Sequence, residues 1–166
     1  MEICLKNINE QFKLRKINLV FGCGGERDEQ KRKIMGKIAN RHCNKIYLTD
    51  DNPRSENPKK IRKDIKINIL KSKLYEVPSR ETAIKKAISK KTKAICMVHV
   101  LGNGGYIEEV RDICNKKKIW LIEDTCESLG VKKKNKYLGT FGDIGTYSFY
   151  FSHHITTVEG GMIVTN

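Results

Sequence analysis

Apolar positions recur first at helical and then at strand spacing, and the two rhythms alternate along the chain. Leu5, Ile8 and Phe12 are spaced by three and four residues, which predicts a short amphipathic helix. Residues 17–21 (INLVF) form an apolar run suited to a buried strand. It leads into GCGGERD at 22–28, where glycines permit a tight turn before a helix with Ile34, Met35, Ile38 and Ala39 on its apolar face. A second strand over 45–49 stops at the DDNPR loop, 50–54. Residues 59–70 read as helix, 73–77 as a short strand, and Ser79 as the cap of a helix over 81–89.

The pattern restarts at residue 94. A strand over 94–100, a helix over 106–116 and a strongly apolar strand over 119–122 lead to Glu123 and Asp124, and strand segments at 146–150 and 162–165 follow. This alternation predicts an α/β fold built on a mostly parallel sheet. No internal repeat interrupts it.

Charge divides the chain at about the same place. Residues 1–100 carry 25 basic and 11 acidic side chains, whereas the remainder carries eight of each, so the net charge of +14 belongs to the first part. Such a block can attract nucleic acid, an anionic membrane surface or a phosphorylated substrate. Most of the cations are Lys without interleaved aromatics, however, which reads as solvated helix faces and argues against nucleic acid as a partner. Six cysteines lacking any CxxC pair are expected as reduced, mostly buried thiols of a cytoplasmic protein. No apolar run approaches the ~20 residues of a membrane span.

In an open α/β sheet, ligands gather at the carboxyl ends of strands, so the loops at 22–28 and 50–54 should lie side by side and bring Arg27, Asn52 and Arg54 to one crevice. Two guanidinium forks and an amide suit a carboxylate ligand. A dinucleotide site is the weaker alternative, because Glu26 and Arg27 stand where GxGxxG needs its third glycine. A plain strand–turn–helix with a solvated Arg54 is the bland one.

The runs NLVFGCGGERDEQKRKIMGKIA and YLTDDNPRSENPKKI closely resemble the C-terminal domain of the Mur ligases that add meso-diaminopimelate during peptidoglycan synthesis. The resemblance covers about residues 5–88. It implies a Rossmann-like domain over 1–88 in which Arg27, Asn52 and Arg54 hold the free carboxylate end of a diaminopimelate-like diacid. Glu26 departs from the family's usual Asp. The family's GxxGK[ST] phosphate loop lies upstream of this segment, and the chain has no such loop, so no ATP site is expected.

A second constellation follows. Asp124, at the mouth of an apolar strand, is placed to pair with a protonated ring nitrogen. Gly139, Gly142 and Gly145 would let backbone approach a ligand, and the Ser148 hydroxyl can donate to a phosphate. His153 and His154 are adjacent and lack a carboxylate at helical spacing, so no metal site is expected.

The motifs VHVLGN, EDTCESLG, GTFGDIGTYSF and HHITTVEGG closely resemble the DegT-type family of nucleotide-sugar aminotransferases and dehydratases, which are fold-type-I pyridoxal-phosphate enzymes. The resemblance implies a partial fold-type-I core over 89–166, with Asp124 on the pyridine nitrogen, Glu127 beside the ring and Ser148 on the phosphate. It also implies a nucleotide-sugar substrate and a possible homodimer. Aminotransferases of the family carry Lys five residues after that serine, where this chain has His153. Imidazole cannot form the anchoring Schiff base but can move a proton near neutral pH. The same replacement marks the family's sugar 3-dehydratases, which hold pyridoxal or pyridoxamine phosphate noncovalently. The expectation is thus a hybrid of two incomplete cell-envelope enzymes joined within 81–94, with little activity alone. A non-enzymatic diacid-binding module and a basic nucleic-acid binder are the alternatives.

Overall fold

The computed structural model describes residues 1–165 and divides into two compact units, Met1–Ser89 and the part from Lys90 onward. Among the described residues no helix is long and apolar enough to cross a membrane.

The first unit runs α1 (Glu2–Gln11), β1 (Asn18–Phe21), α2 (Glu29–His42), β2 (Lys45–Leu48), α3 (Pro58–Lys66), β3 (Leu74–Glu76) and α4 (Arg80–Ala87). Its three strands are parallel in the order β1-β2-β3, with Leu19 beside Ile46 and Ile46 beside Leu74. Parallel neighbours need crossovers, which α2 and α3 supply, and those two helices pack together. Their contact is close enough that a Cβ on Gly36 would lie 2.0 Å from the Ile65 carbonyl oxygen. Ala39, Ile46, Leu48, Ile61 and Ile65 form the core between helices and sheet. Tyr47, pointing oppositely to Ile46 and Leu48, donates its hydroxyl to the Lys86 carbonyl at 3.1 Å, where α4 packs on β1 and β2.

Caps set the helix boundaries. Asp28 accepts from the Gln30 and Lys31 N–H groups at the start of α2, and Asn57 accepts from Lys59 with Pro58 at the first helical position of α3. Two predicted faces hold only in part, although Met35, Ile38 and Ala39 of α2 do pack on the core. In α1 only Leu5 is buried, while Ile8 and Phe12 are 37% and 57% exposed; in α2, Ile34 is 56% exposed, and Arg32, Gly36 and Ala39 face inward.

The second unit comprises β4 (Ala94–Val98), α5 (Ile107–Lys117), β5 (Trp120–Asp124), the hairpin β6 (Lys132–Lys133) and β7 (Lys136–Tyr137), then β8 (Ile144–Ser148) and β9 (Gly161–Thr165). The sheet order is β4-β5-β8-β9; the first three strands are parallel and β9 is antiparallel. Leu121, Glu123 and Tyr147 point to the face that is buried, whereas Val98, Trp120, Ile122, Asp124, Thr146 and Ser148 share the opposite, more open face. Strand β8 begins two residues before the position predicted from sequence and ends at Ser148, because Ile144 pairs with Ile122 and Gly145 lies against the Gly139 carbonyl. The hairpin was not predicted. Its turn holds Lys134 and Asn135 at φ 46 and 64, the two successive left-handed residues of a tight hairpin turn. The cysteines also depart from expectation: Cys43 and Cys114 are buried, but Cys4 and Cys96 are exposed.

Candidate functional site

In the first unit, adjacent parallel strands deliver the two expected loops to one place. The Thr49 N–H donates to the Phe21 carbonyl at 2.9 Å, and the Gly25 N–H donates to the Asn52 carbonyl at 2.8 Å. The approach requires glycine: a Cβ at Gly25 would sit 1.9 Å from the Pro53 carbonyl oxygen. Asn52 Oδ1 accepts the Arg54 N–H at 3.1 Å, closing an Asx turn that places Arg54 at φ 50. The Arg54 guanidinium then folds back and donates to the carbonyls of Gly25 (2.9 Å) and Glu26 (3.4 Å). Arg27 is exposed and, with Cys23, Gly24, Asp28, Lys31, Arg32 and Met35, lines a cleft of about 170 Å³. Asn52 and Arg54 brace the loop pair outside that lining.

Sequence reasoning missed Arg32. It is 1% exposed, reaches both carboxylate oxygens of Glu56 at 2.9 and 2.7 Å, and touches Asp64 at 3.3 Å. The guanidinium and the Glu26 backbone N–H hold the Glu56 carboxyl down at about 2. Within the run KRK nothing marks the middle cation as the buried one; its partners lie 24 and 32 residues away.

In the second unit the carboxyl ends of β4, β5 and β8 form one edge. Asp124 closes β5 and is half-buried on the open face. Its Oδ1 accepts the Cys126 N–H at 3.2 Å, and it forms no ion pair with a Lys, Arg or His among the described residues. Burial, together with a hydrogen bond to Asp124 and the charges of Asp124 and Glu127, pushes the Cys126 thiol up to about 11, so it stays protonated and weakly nucleophilic at neutral pH. Glu127, also half-buried, lies in the turn after β5. Thr146 is the register partner of Asp124, so Ser148 stands on the same face two residues further along β8. The Ser148 oxygen accepts the Tyr150 N–H at 3.3 Å, and among the described residues its hydroxyl proton has no acceptor. The segment after β8 folds back through a Phe149–Gly160 backbone bond and carries His153, half-buried with its ring 6.4 Å from that of Tyr150. His154 is exposed.

The glycines of this unit also serve its own backbone. Gly139 and Gly142 donate backbone N–H groups to the Glu123 carboxylate, and Gly145 lets β8 pass the Gly139 carbonyl, which a Cβ would meet at 1.9 Å. Sequence reading also passed over Glu123 and His99. Both are fully buried and are bonded to each other, with His99 Nε2 2.8 Å from Glu123 Oε2. Burial drives the Glu123 carboxyl up, but hydrogen bonds from His99, Gly142 and Gly139 outweigh it and leave it below the ordinary glutamate value.

The signature of the DegT/DnrJ/EryC1/StrS aminotransferase family matches residues 76–166, and that of the Mur ligase glutamate ligase domain matches residues 1–104. The chain belongs to both families. Over 82 residues it is 51% identical to lipopolysaccharide biosynthesis protein RfbH of Salmonella typhimurium, covering 49% of this chain and 19% of that protein. Over 124 residues it is 43% identical to the UDP-N-acetylmuramoyl-L-alanyl-D-glutamate--2,6-diaminopimelate ligase of Wigglesworthia glossinidia brevipalpis, covering 74% of this chain and 24% of the ligase. Among solved structures, the E. coli GDP-4-keto-6-deoxy-D-mannose-3-dehydratase with bound hydrated PLP superposes with a TM-score of 0.53 at 27% identity, over 99% of this chain and 36% of that one. The chain thus spans about a fifth to a quarter of the curated relatives it matches.

Proposed function

We propose that the chain is a two-part cell-envelope biosynthesis protein. Residues 1–88 form a Rossmann-like Mur ligase C-terminal domain that recognises a diaminopimelate-like diacid. Residues 89–166 form part of a fold-type-I core that holds pyridoxal or pyridoxamine phosphate noncovalently and handles a nucleotide sugar in the manner of the 3-dehydratases.

The placement of Asp124 and Ser148 carries the second half of this reading. They project from the same sheet face on neighbouring strands, two register steps apart, which places their backbones about 8 Å from each other. That span suits a pyridine ring with a phosphate arm. The donor set fits as well: among the described residues Asp124 has no paired cation, which suits it to a protonated ring nitrogen, and Ser148 has a hydroxyl proton to give a phosphate. Gly161, the register partner of Ser148 on the side of β8 away from Asp124, adds no side chain beside the serine. When bound, the cofactor supplies an electron sink for cleavage beside an amine-bearing carbon. In this reading Asp124 keeps the ring nitrogen protonated, Ser148 fixes the phosphate, and Glu127 sits beside the ring. His153 takes and returns a proton, since its imidazole cannot make the covalent attachment a lysine would. Cys126, held as a thiol, does not compete as a nucleophile.

In the first half, Arg27 at the cleft receives one carboxylate, while Asn52 and Arg54 present the loop that completes the site. The chain alone is proposed to turn over little substrate.

The test is a spectral titration of the purified protein with pyridoxal phosphate. A saturable shift of the cofactor band is expected, at least tenfold weaker in Asp124→Asn, with no borohydride-stable adduct at residue 153 and a stable one in His153→Lys. Equal affinity in Asp124→Asn, or a trapped adduct at residue 153 of the unaltered protein, would overturn the assignment.

A further inference from the structure

We infer that His99 and Glu123 form a buried positioning pair that fixes the direction of Asp124, an inference that rests on the proposed role of Asp124. Glu123 and Asp124 are consecutive in β5 and therefore project to opposite faces: Asp124 toward the open face, Glu123 into the interior. A fully buried carboxylate persists only where donors surround it. Glu123 gathers three, from two separate segments: the His99 ring just after β4, and the backbone N–H groups of Gly139 and Gly142 in the turn before β8.

The bonds around His99 extend the brace to Asp124. The His99 N–H donates to the Asp124 carbonyl at 2.9 Å, and the His99 carbonyl accepts the Ser128 hydroxyl at 2.9 Å. Ser128 in turn accepts the Gly102 N–H at 2.9 Å. Asp124 is thus held by its own carbonyl and through its neighbour's side chain, both ending on His99. Because Glu123 is surrounded by donors and is itself acceptor-only when ionised, the proton on the ring must sit on Nε2. The buried Nδ1 has no partner among the described residues, so the bond to Glu123 is the ring's entire polar engagement. A space-filling role would be met as well by an apolar side chain of similar size. The arrangement here instead specifies a donor at the Nε2 position and a two-oxygen acceptor opposite it.

Three variants separate these roles. His99→Gln keeps a donor near the Nε2 position, His99→Leu keeps bulk without the donor, and Glu123→Gln turns an amide donor toward backbone N–H groups. Two readouts apply: hydrogen exchange of the amides from Asp124 to Ser128 in the protein alone, and pyridoxal phosphate affinity together with the band that reports ring-nitrogen protonation. The expected result is that His99→Leu and Glu123→Gln exchange this segment at least tenfold faster, bind at least tenfold more weakly and lose the protonated-ring band, while His99→Gln stays within about threefold of the unaltered protein. Unchanged exchange in His99→Leu, or equal losses in His99→Gln and His99→Leu, would overturn the pair. If His99→Leu does not fold, His99→Gln against Glu123→Gln decides by the same criteria. A protein that fails to bind the cofactor at all would sink the proposed function, yet the exchange comparison would still decide whether the pair holds Asp124.

Discussion

Arg32 meets Glu56 with a two-pronged guanidinium–carboxylate pair, at 2.9 and 2.7 Å, from a side chain that is 1% exposed. This pair ties α2 to the loop preceding α3, and the same guanidinium reaches Asp64 within α3. Arg32→Leu leaves two carboxylates facing each other with no cation between them. Since both keep some solvent, the cost should fall near the lower end for a broken buried pair, about 3 kcal/mol. Urea unfolding followed by circular dichroism measures it; a loss below about 1 kcal/mol would contradict the assignment.

The same pair makes the first unit sensitive to acid. Glu56 titrates near 2 in the folded chain because Arg32 and the Glu26 N–H favour its ionised form, whereas its ordinary value is 4.5. A depressed folded value means the stabilisation is complete above pH 4.5 and is lost as pH falls toward 2. Glu76, bonded to Lys66 and Arg62, and Glu26, bonded to Ser55, are lowered as well and act in the same direction. Stability measured from pH 6 to 2 should fall in that window, and Glu56→Gln should flatten the curve. An identical pH dependence in that variant would show that the pair contributes nothing.

Gly36 lies inside α2, where alanine would ordinarily gain about 1 kcal/mol of helix propensity. Here a Cβ would sit 2.0 Å from the Ile65 backbone oxygen, so α2 and α3 must separate to admit it. Gly36→Ala is therefore expected to destabilise the unit by about 1–3 kcal/mol net, the usual cost of overpacking. Thermal melting checks the sign, and a raised melting temperature would refute the close contact.

At the start of the second unit, Lys90 and Lys91 occupy an exposed turn. Exposed turns with small or polar residues are preferred sites of proteolysis. Brief trypsin treatment should therefore yield an early pair of fragments split at this turn, identifiable by mass spectrometry. Earlier cleavage inside β2 or β5 would be inconsistent with the compact units.

The element order and the pairing of the glycine turn with the DDNPR loop were legible because hydrophobic spacing, caps and glycines are local signals. The place of Asp124 at the end of β5 was legible for a similar reason, since the apolar run stops there, whereas Ser148 closes β8 two residues before the end expected from sequence. What escaped was set by partners distant in sequence. Arg32 is buried by Glu56 and Asp64, and Glu123 by His99 and two glycine amides. A cation in KRK or an acid beside Asp124 looks solvated until those partners arrive. The one exposed member of the face predicted for α2 has the same origin: Ile34 yields the inner position to an arginine whose charge is satisfied. A glycine run such as 139, 142 and 145 looks alike in sequence whether it admits a cofactor or a neighbouring strand.

Helix α4 falls within the stretch that both family signatures match, yet its side chains and carbonyls are committed to β1 and β2. A recombination crossover in or just after such a doubly compatible helix would cut no hydrophobic core on either side. Each half then keeps the strands and helices of its own core, so its substitutions answer to its own stability.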